Sequence, residues 1–192
     1  LLPTLLDNYQ LTIFEKSPKI GFGLFFILFC VSIYVIFYHM ETIKCFGPIF
    51  DSDSKILILG SMPSIASLEQ NFYYMHPTNR FWSVIAEITQ SPFPKTIEER
   101  RNLVLDNKIA LWDVIYECRR KGSLDSAIRD AHPNDLYKIP NIEKLKIFTN
   151  GRLAHSLLKK FFPRLKSQYL PSTSAANVRF DKQKWLDIKK HL

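Results

Sequence analysis

From Phe46 onward, short apolar runs alternate with amphipathic stretches. Lys55–Leu59 is apolar after its lysine, as expected of a strand buried on both faces. Asn79–Thr89 carries Phe81, Trp82, Ile85 and Ile88 at helical spacing, which predicts a helix with one apolar face. Ser91–Lys95 is a proline-broken loop, and Thr96–Asn107 reads as a charged amphipathic helix. Further strands are predicted at Ile109–Val114, Leu145–Thr149 and Gln168–Leu170. Lys121–Lys138 is polar and reads as loop with short helix. A helix over Gly151–Phe162 is ended by Pro163, and Asp181–His191 closes the chain as a helix. Strands alternating with helices predict an α/β fold. Its expected form is a three-layer sandwich around a mainly parallel, four-stranded central sheet.

Upstream the pattern changes. Ile20–Tyr38 runs for 19 residues without a charge, enough for a single transmembrane helix. It is too long and too aromatic for a signal peptide, and no small-residue cleavage site follows. Met40, followed at once by polar sequence, is an alternative start. The division expected is a hydrophobic extension over 1–39 and a compact domain over 46–192. A membrane anchor, if genuine, would lie in 20–38 and would take no part in the chemistry.

Charge adds a partner class. The chain of 192 residues has a formal net charge of +8. Asp7 and Glu15 are balanced by Lys16 and Lys19, so the excess lies in the compact domain. A basic domain points to a polyanion, nucleic acid first, although a merely solvated basic surface reads the same way. Three separated cysteines, with no CxxC and no Cys/His cluster, argue against zinc or a disulfide framework and fit a reducing compartment.

The candidate chemistry sits where the strands end. The first runs into Gly60-Ser61-Met62-Pro63 and the second contains Asp113. The third gives Thr149-Asn150-Gly151-Arg152, and the fourth Pro171 to Asn177. Parallel strands bring all four ends to one edge of a sheet, where open α/β sheets bind ligands. Capping is the plain alternative for each, since Ser, Thr, Asn and Asp start helices. Ser61, Tyr73, Tyr74, His76, Asn79 and Arg80 suit a flat polar ligand better than a metal or a covalent intermediate. There is no G-x-S-x-G elbow, phosphate loop or G-x-G-x-x-G.

Five separated motifs now carry a resemblance: GSMPS at 60–64, YYMHPTNRFW at 73–82, LWDVI at 111–115, FTNGR at 148–152 and LPSTSAAN at 170–177. In this order and spacing they resemble the uracil-DNA glycosylase superfamily, most closely its hypoxanthine (deoxyinosine) DNA glycosylase branch. The resemblance covers about residues 46–192. It implies a monofunctional, intracellular and monomeric base-excision enzyme without cofactor or metal, acting on DNA that contains a deaminated base. A uracil or mismatch glycosylase and a non-catalytic damaged-DNA-binding module are the alternatives. Many members carry Asp or Asn in the first motif to position water, and here that place is Met62. The hypoxanthine branch also lacks it, and the asparagine implicated there maps to Asn79. Ala175 stands where proline is common.

The resemblance implies Asn79 and Asp113 as catalytic candidates. Asn79 would place water or support the positive sugar, and helix capping is its plainer role. Asp113 is the nearest carboxylate, with a buried structural acceptor as the alternative. Ser61, Tyr74 and Asn150 would hold the base, Tyr74 by stacking and Asn150 by reading the edge. Ser172, Thr173, Ser174 and Asn177 would grip DNA, and Leu170 or Asn177 would border the gap in the stack. Arg152, Lys159, Lys160, Arg164 and Arg179 are candidates to track phosphates. No lysine stands in the motifs, which argues against a Schiff-base lyase.

Overall fold

The computed structural model describes residues 42–192. The apolar stretch 20–38 and the candidate start at Met40 lie outside the described residues. Among the described residues, no helix is long and apolar enough to cross a membrane.

Seven strands form two sheets. In chain order they are β1 (Thr42–Lys44), β2 (Ile56–Gly60), β3 (Ile109–Asp113), β4 (Ile115–Arg119), β5 (Arg129–Pro133), β6 (Lys146–Asn150) and β7 (Ser167–Leu170). The larger sheet has the order β3-β2-β6-β7 and is parallel throughout. Its four strands are those expected from the apolar runs, displaced by a residue or so at their ends. All five residues of β2 are buried, as are all five of β3. β2 lies between two strands, and β3, at the end of the sheet, is bridged on its other side by Ile49, which pairs with Leu111. Strands with both faces covered have no solvent face to mark with polar residues.

The helices are α1 (Ile65–Glu69), α2 (Phe81–Ile88), α3 (Ile97–Asp106), α4 (Arg152–Phe161) and α5 (Gln183–Leu186). The predicted stripe of α2 is buried, with Val84 and Ala86 in addition. A capping box starts α3. The Thr96 hydroxyl accepts from Glu99 N–H while the Glu99 carboxylate accepts from Thr96 N–H, which satisfies two orphan donors together. The expected closing helix is split, since a 3₁₀ turn over Asp187–His191 follows α5.

The second sheet, β1-β4-β5, is antiparallel. It corrects the reading of Lys121–Lys138 as loop with short helix. That stretch holds two 3₁₀ turns with β5 between them. Of the five residues of β5 one is half-buried and four are exposed, so no alternation of apolar residues marks it. Backbone pairing with β4 holds it in place.

Candidate active site

Parallel pairing puts the ends of β2, β3, β6 and β7 along one edge. The strand order reverses at β2, which has β3 on one side and β6 on the other, and ligands bind in the crevice outside such a reversal. Gly60 and Asp113 are register partners there. The room a Cβ would need at residue 60 is already occupied by the Asp113 carboxylate, with the Tyr74 hydroxyl 3.2 Å from the same point. Glycine is what allows these two groups to converge.

Asp113 is 3% exposed. Burial raises its carboxyl pKa to about 7. The Cys45 thiol, 3.7 Å from Oδ2, and the charge of Arg120 oppose that rise, while the charge of Asp125 adds to it. This acid changes protonation state near neutrality. Behind it, the Asn134 amide donates to the main-chain oxygen of Asp113 at 2.8 Å.

Tyr74 is held in an unusual backbone conformation, φ +56°, which a bulky residue adopts only when its surroundings require it. Its neighbours supply that constraint. Trp82 Nε1 donates to Tyr73 O at 3.1 Å, and Met75 N donates to Ser67 Oγ at 3.1 Å. One face of the Tyr74 ring stacks on Phe81, with centroids 3.8 Å apart. The hydroxyl is buried and makes no hydrogen bond. Burial first, and then the charge of Asp113, lift its pKa far above the ordinary phenol range, and the nearby Asn150 side chain opposes that rise. It therefore stays a neutral donor with no acceptor.

Asn150 ends β6 and is fixed by one residue. Its Nδ2 donates to Thr173 Oγ1 at 2.9 Å, and its Oδ1 accepts from Thr173 N at 2.9 Å. Because the Thr173 main-chain N–H can only donate, the amide orientation is decided chemically. One N–H and one lone pair of Asn150 remain. Thr173 itself is fully buried, so of the four hydroxyl-loop residues it faces inward to the amide.

The rest of that loop is tied down from two helices. Arg80 donates from its main chain to Thr173 O at 3.0 Å and from Nη1 to Ser174 O and Asn177 O at 3.1 and 3.3 Å. Its guanidinium lies 5.1 Å from the Phe180 ring centre. Trp185 of α5 donates to Pro171 O at 2.8 Å and packs edge-on against Phe81. Inside the loop, Ser172 Oγ accepts from Ser174 N and Ser174 Oγ accepts from Ala176 N. Both hydroxyls keep their own proton to donate. Asn177 has its oxygen and amide engaged within the loop, by Arg179 N and Ser172 O.

The remaining candidates are more dispersed. Asn79 Oδ1 accepts from Phe81 N at 3.0 Å at the start of α2, leaving Nδ2 unengaged on a half-buried side chain. Asn79 is linked to the loop only through its neighbour Arg80. The Ser61 hydroxyl donates to Asp125 at 2.8 Å. Met62 is 7% exposed and belongs to the core. Leu170 is fully buried, so it cannot border a gap in a base stack, whereas Val178 is 90% exposed. Arg152 and Arg179 stay with the loops of this edge, but α4 runs back toward the start of β7. It carries Lys159 and Lys160 away, and Arg164 follows them. Among the described residues, no three His, Cys, Asp or Glu side chains gather as a metal would require.

The clamp made by Arg80, the carboxylate of Asp125 and the buried Arg120, which donates to Pro63 O, were not assigned roles from the residues. Asp125 and Arg120 lie in polar stretches with no spacing that distinguishes them.

Residues 48–190 match the family model of the uracil DNA glycosylase superfamily. A Methanosarcina acetivorans protein named hypoxanthine DNA glycosylase is 34% identical over 157 residues, covering 76% of this chain and 97% of that one. A Methanosarcina barkeri protein of the same name is 38% identical over 115 residues, covering 56% and 70%. The solution NMR structure of a candidate uracil DNA glycosylase from Methanosarcina acetivorans superposes with a TM-score of 0.67 at 32% identity, covering 79% of this chain and 98% of that one.

Proposed function

The chain belongs to the uracil DNA glycosylase superfamily, and we propose that it is a monofunctional DNA glycosylase that excises hypoxanthine from deoxyinosine. The relatives' shared name supports the substrate. The observation that carries the site is the Asn150 amide, fixed by Thr173 beside an unclaimed Tyr74 hydroxyl. Hypoxanthine presents an O6 acceptor next to an N1–H donor, which the remaining N–H and lone pair of Asn150 complement. Adenine presents the reverse pair and would leave buried polar groups unpaired. Uracil shares hypoxanthine's edge, so some uracil release belongs to this reading.

We read the fold as a three-layer sandwich. Right-handed crossovers put α4 on the face opposite α2 and α3. The glycosylase domain occupies 46–192, apart from the hydrophobic extension 1–39, and the protein works as a monomer on DNA inside the cell.

In the reaction the target nucleotide turns out of the duplex. The bond from C1′ to the base nitrogen breaks with its electron pair going to the base, and positive charge builds on the sugar. Water then adds to C1′ and gives up its proton to the base or to solvent. The amide of Asn79 holds that water. An amide is a poor base, so its contribution is placement and charge stabilisation. Asp113 responds to the developing positive charge from behind Gly60. The exposed part of the Tyr74 ring and Ser61 line the base pocket. The hydroxyls of Ser172 and Ser174 donate to the DNA backbone, and Thr173 and Asn177 maintain the loop that presents them.

The test is single-turnover base release from duplexes carrying one hypoxanthine, uracil or xanthine. Hypoxanthine release that falls at least 100-fold in Asn79→Ala, with duplex affinity kept, is the expected result. Release of uracil alone would move the protein to the uracil branch. Binding without release from any duplex would make it a damage-binding module.

A further inference from the structure

The edge of the sheet opposite the site has its own regularity. Every strand of the parallel sheet is entered through a lysine. Lys55 precedes β2, Lys108 precedes β3, Lys146 begins β6 and Lys166 precedes β7. All four are exposed. The main chain sets them side by side, since Lys55 N donates to Lys108 O and Lys146 N donates to Lys55 O. At ordinary strand spacing the row from β3 to β7 is about 14 Å long. Lys144 and Arg164 extend it, and a cleft of about 410 Å³ lies between residues 142–147 and 164–168, with Lys146, Arg164 and Lys166 in its lining.

None of these cations enters an ion pair among the described residues. The acids nearby are fewer. Glu143 lines the cleft, Asp106 precedes Lys108, and Asp51 and Asp53 lie in the turn before β2, where Asp51 accepts from Ser54 and from Asp53 N. A concentration of unpaired positive charge on one face destabilises the fold by self-repulsion, which a bound polyanion removes.

We infer that this edge binds the phosphate backbone of a second DNA segment while the first occupies the site. A duplex carries one charge per about 1.7 Å of axis with both strands counted, so about eight phosphates, roughly four on each strand, lie along the 14 Å row. Lysines are point charges without a fixed fork geometry, which suits a backbone that is gripped without being read. Five-residue strands separate the two edges by about 17 Å. Duplex DNA is stiff over about 150 base pairs, so a single short duplex cannot turn around the domain to meet both. The choice of DNA over another polyanion rests on the glycosylase reading. A protein that holds two segments can pass from one to the other without entering free solution.

The experiment follows dissociation of the full chain from a labelled 25-base-pair hypoxanthine duplex as unlabelled duplex is added. For the wild type the dissociation rate rises in proportion to competitor. In Lys55→Ala/Lys146→Ala/Lys166→Ala that dependence disappears, and the log–log salt slope for taking up a second duplex falls by roughly 2.7. Single-turnover base release from saturating duplex stays within twofold. A wild-type rate independent of competitor overturns the inference, as does an unchanged rate dependence in the triple variant. Equal acceleration by poly-glutamate or by inorganic phosphate at matched charge overturns the assignment to DNA. Lost base release in the triple variant would put these lysines under the first duplex instead. Should the wild type release no base while competitor still speeds dissociation, the catalytic reading fails and this one stands.

Discussion

Gly60→Ala tests the convergence on which the site depends. The new Cβ would fall on the Asp113 carboxylate, with Cγ 3.3 Å and the Tyr74 hydroxyl 3.2 Å away. Neither backbone can yield easily, because residues 60 and 113 are register partners on two fully buried strands. The side chain of Asp113 must turn into a space already closed around it, at the usual overpacking cost of about 1–3 kcal/mol. In an Asp113→Ala background the obstructing oxygen is gone. The remaining neighbour at 3.2 Å is the end of a tyrosine, so the same substitution there should cost about 0.5 kcal/mol or less. The cycle of four proteins, unfolded in urea, therefore carries a coupling of about 1–3 kcal/mol. With slopes of about 1–3 kcal/mol per molar urea, that is a midpoint difference of about 1 M. Equal costs of Gly60→Ala in both backgrounds, within about 0.5 kcal/mol, would refute the convergence of Gly60, Asp113 and Tyr74.

Two further outcomes follow from the same geometry. Asp113 has a folded pKa of about 7, against an ordinary value of about 4, so across that interval the folded protein holds the proton and the unfolded chain does not. Its contribution to stability is complete below about pH 4 and drains away as pH rises through 7, by up to about 4 kcal/mol. Asp113→Asn should lack this slope, and parallel urea-midpoint curves for the two proteins from pH 4.5 to 8 would show the residue to be ordinary. Arg80→Ala removes two bonds to loop carbonyls and the Phe180 contact; we expect a loss of about 2 kcal/mol, at least tenfold weaker duplex binding, and hydrogen exchange over residues 172–178 that accelerates more than that of β2.

The parallel sheet was legible because its strands are continuous apolar runs, and α2 because Phe81, Trp82, Ile85 and Ile88 recur at helical spacing. β5 was not, since Arg129-Asp130-Ala131-His132-Pro133 buries almost nothing and is held by backbone pairing. In the site, the strand-end residues were legible as a set because parallel pairing leaves them no other edge. Their partners were not. Nothing in LPSTSAAN separates Thr173, which turns inward to Asn150, from Ser172 and Ser174, which keep hydroxyl protons outward. Nothing in NRFW tells that Arg80 would reach across 94 residues to Ser174. These are long-range bonds made by residue types that occur on any polar loop. The place of Lys159, Lys160 and Arg164 was illegible for a related reason, as nearness in sequence to the third motif says nothing of a helix that runs back to the far edge.

The buried Met62 decides how much of the chemistry the remaining groups must supply. No carboxylate stands in the first motif, and the one that comes nearest, Asp113, enters from the neighbouring strand, almost unexposed and titrating near pH 7. A carboxylate shielded behind Gly60 cannot both lie against the sugar and hold a water outside it. On the proposed reading its effect on the reaction is the field it projects when ionised, and that field is little screened because the carboxylate is buried away from water. On the same reading the water then falls to Asn79, whose amide nitrogen is unengaged on a half-buried side chain. These two contributions separate by pH. Charge from Asp113 makes base release rise through an inflection near pH 7 that Asp113→Asn abolishes, whereas placement by Asn79 lowers the rate by one factor at every pH. The Asn79 variant should therefore retain the inflection of the wild type at a uniformly lower rate. An Asn79 variant whose pH profile is flat would mean that the two residues act as one proton-transfer unit and that Asp113 reaches the water after all.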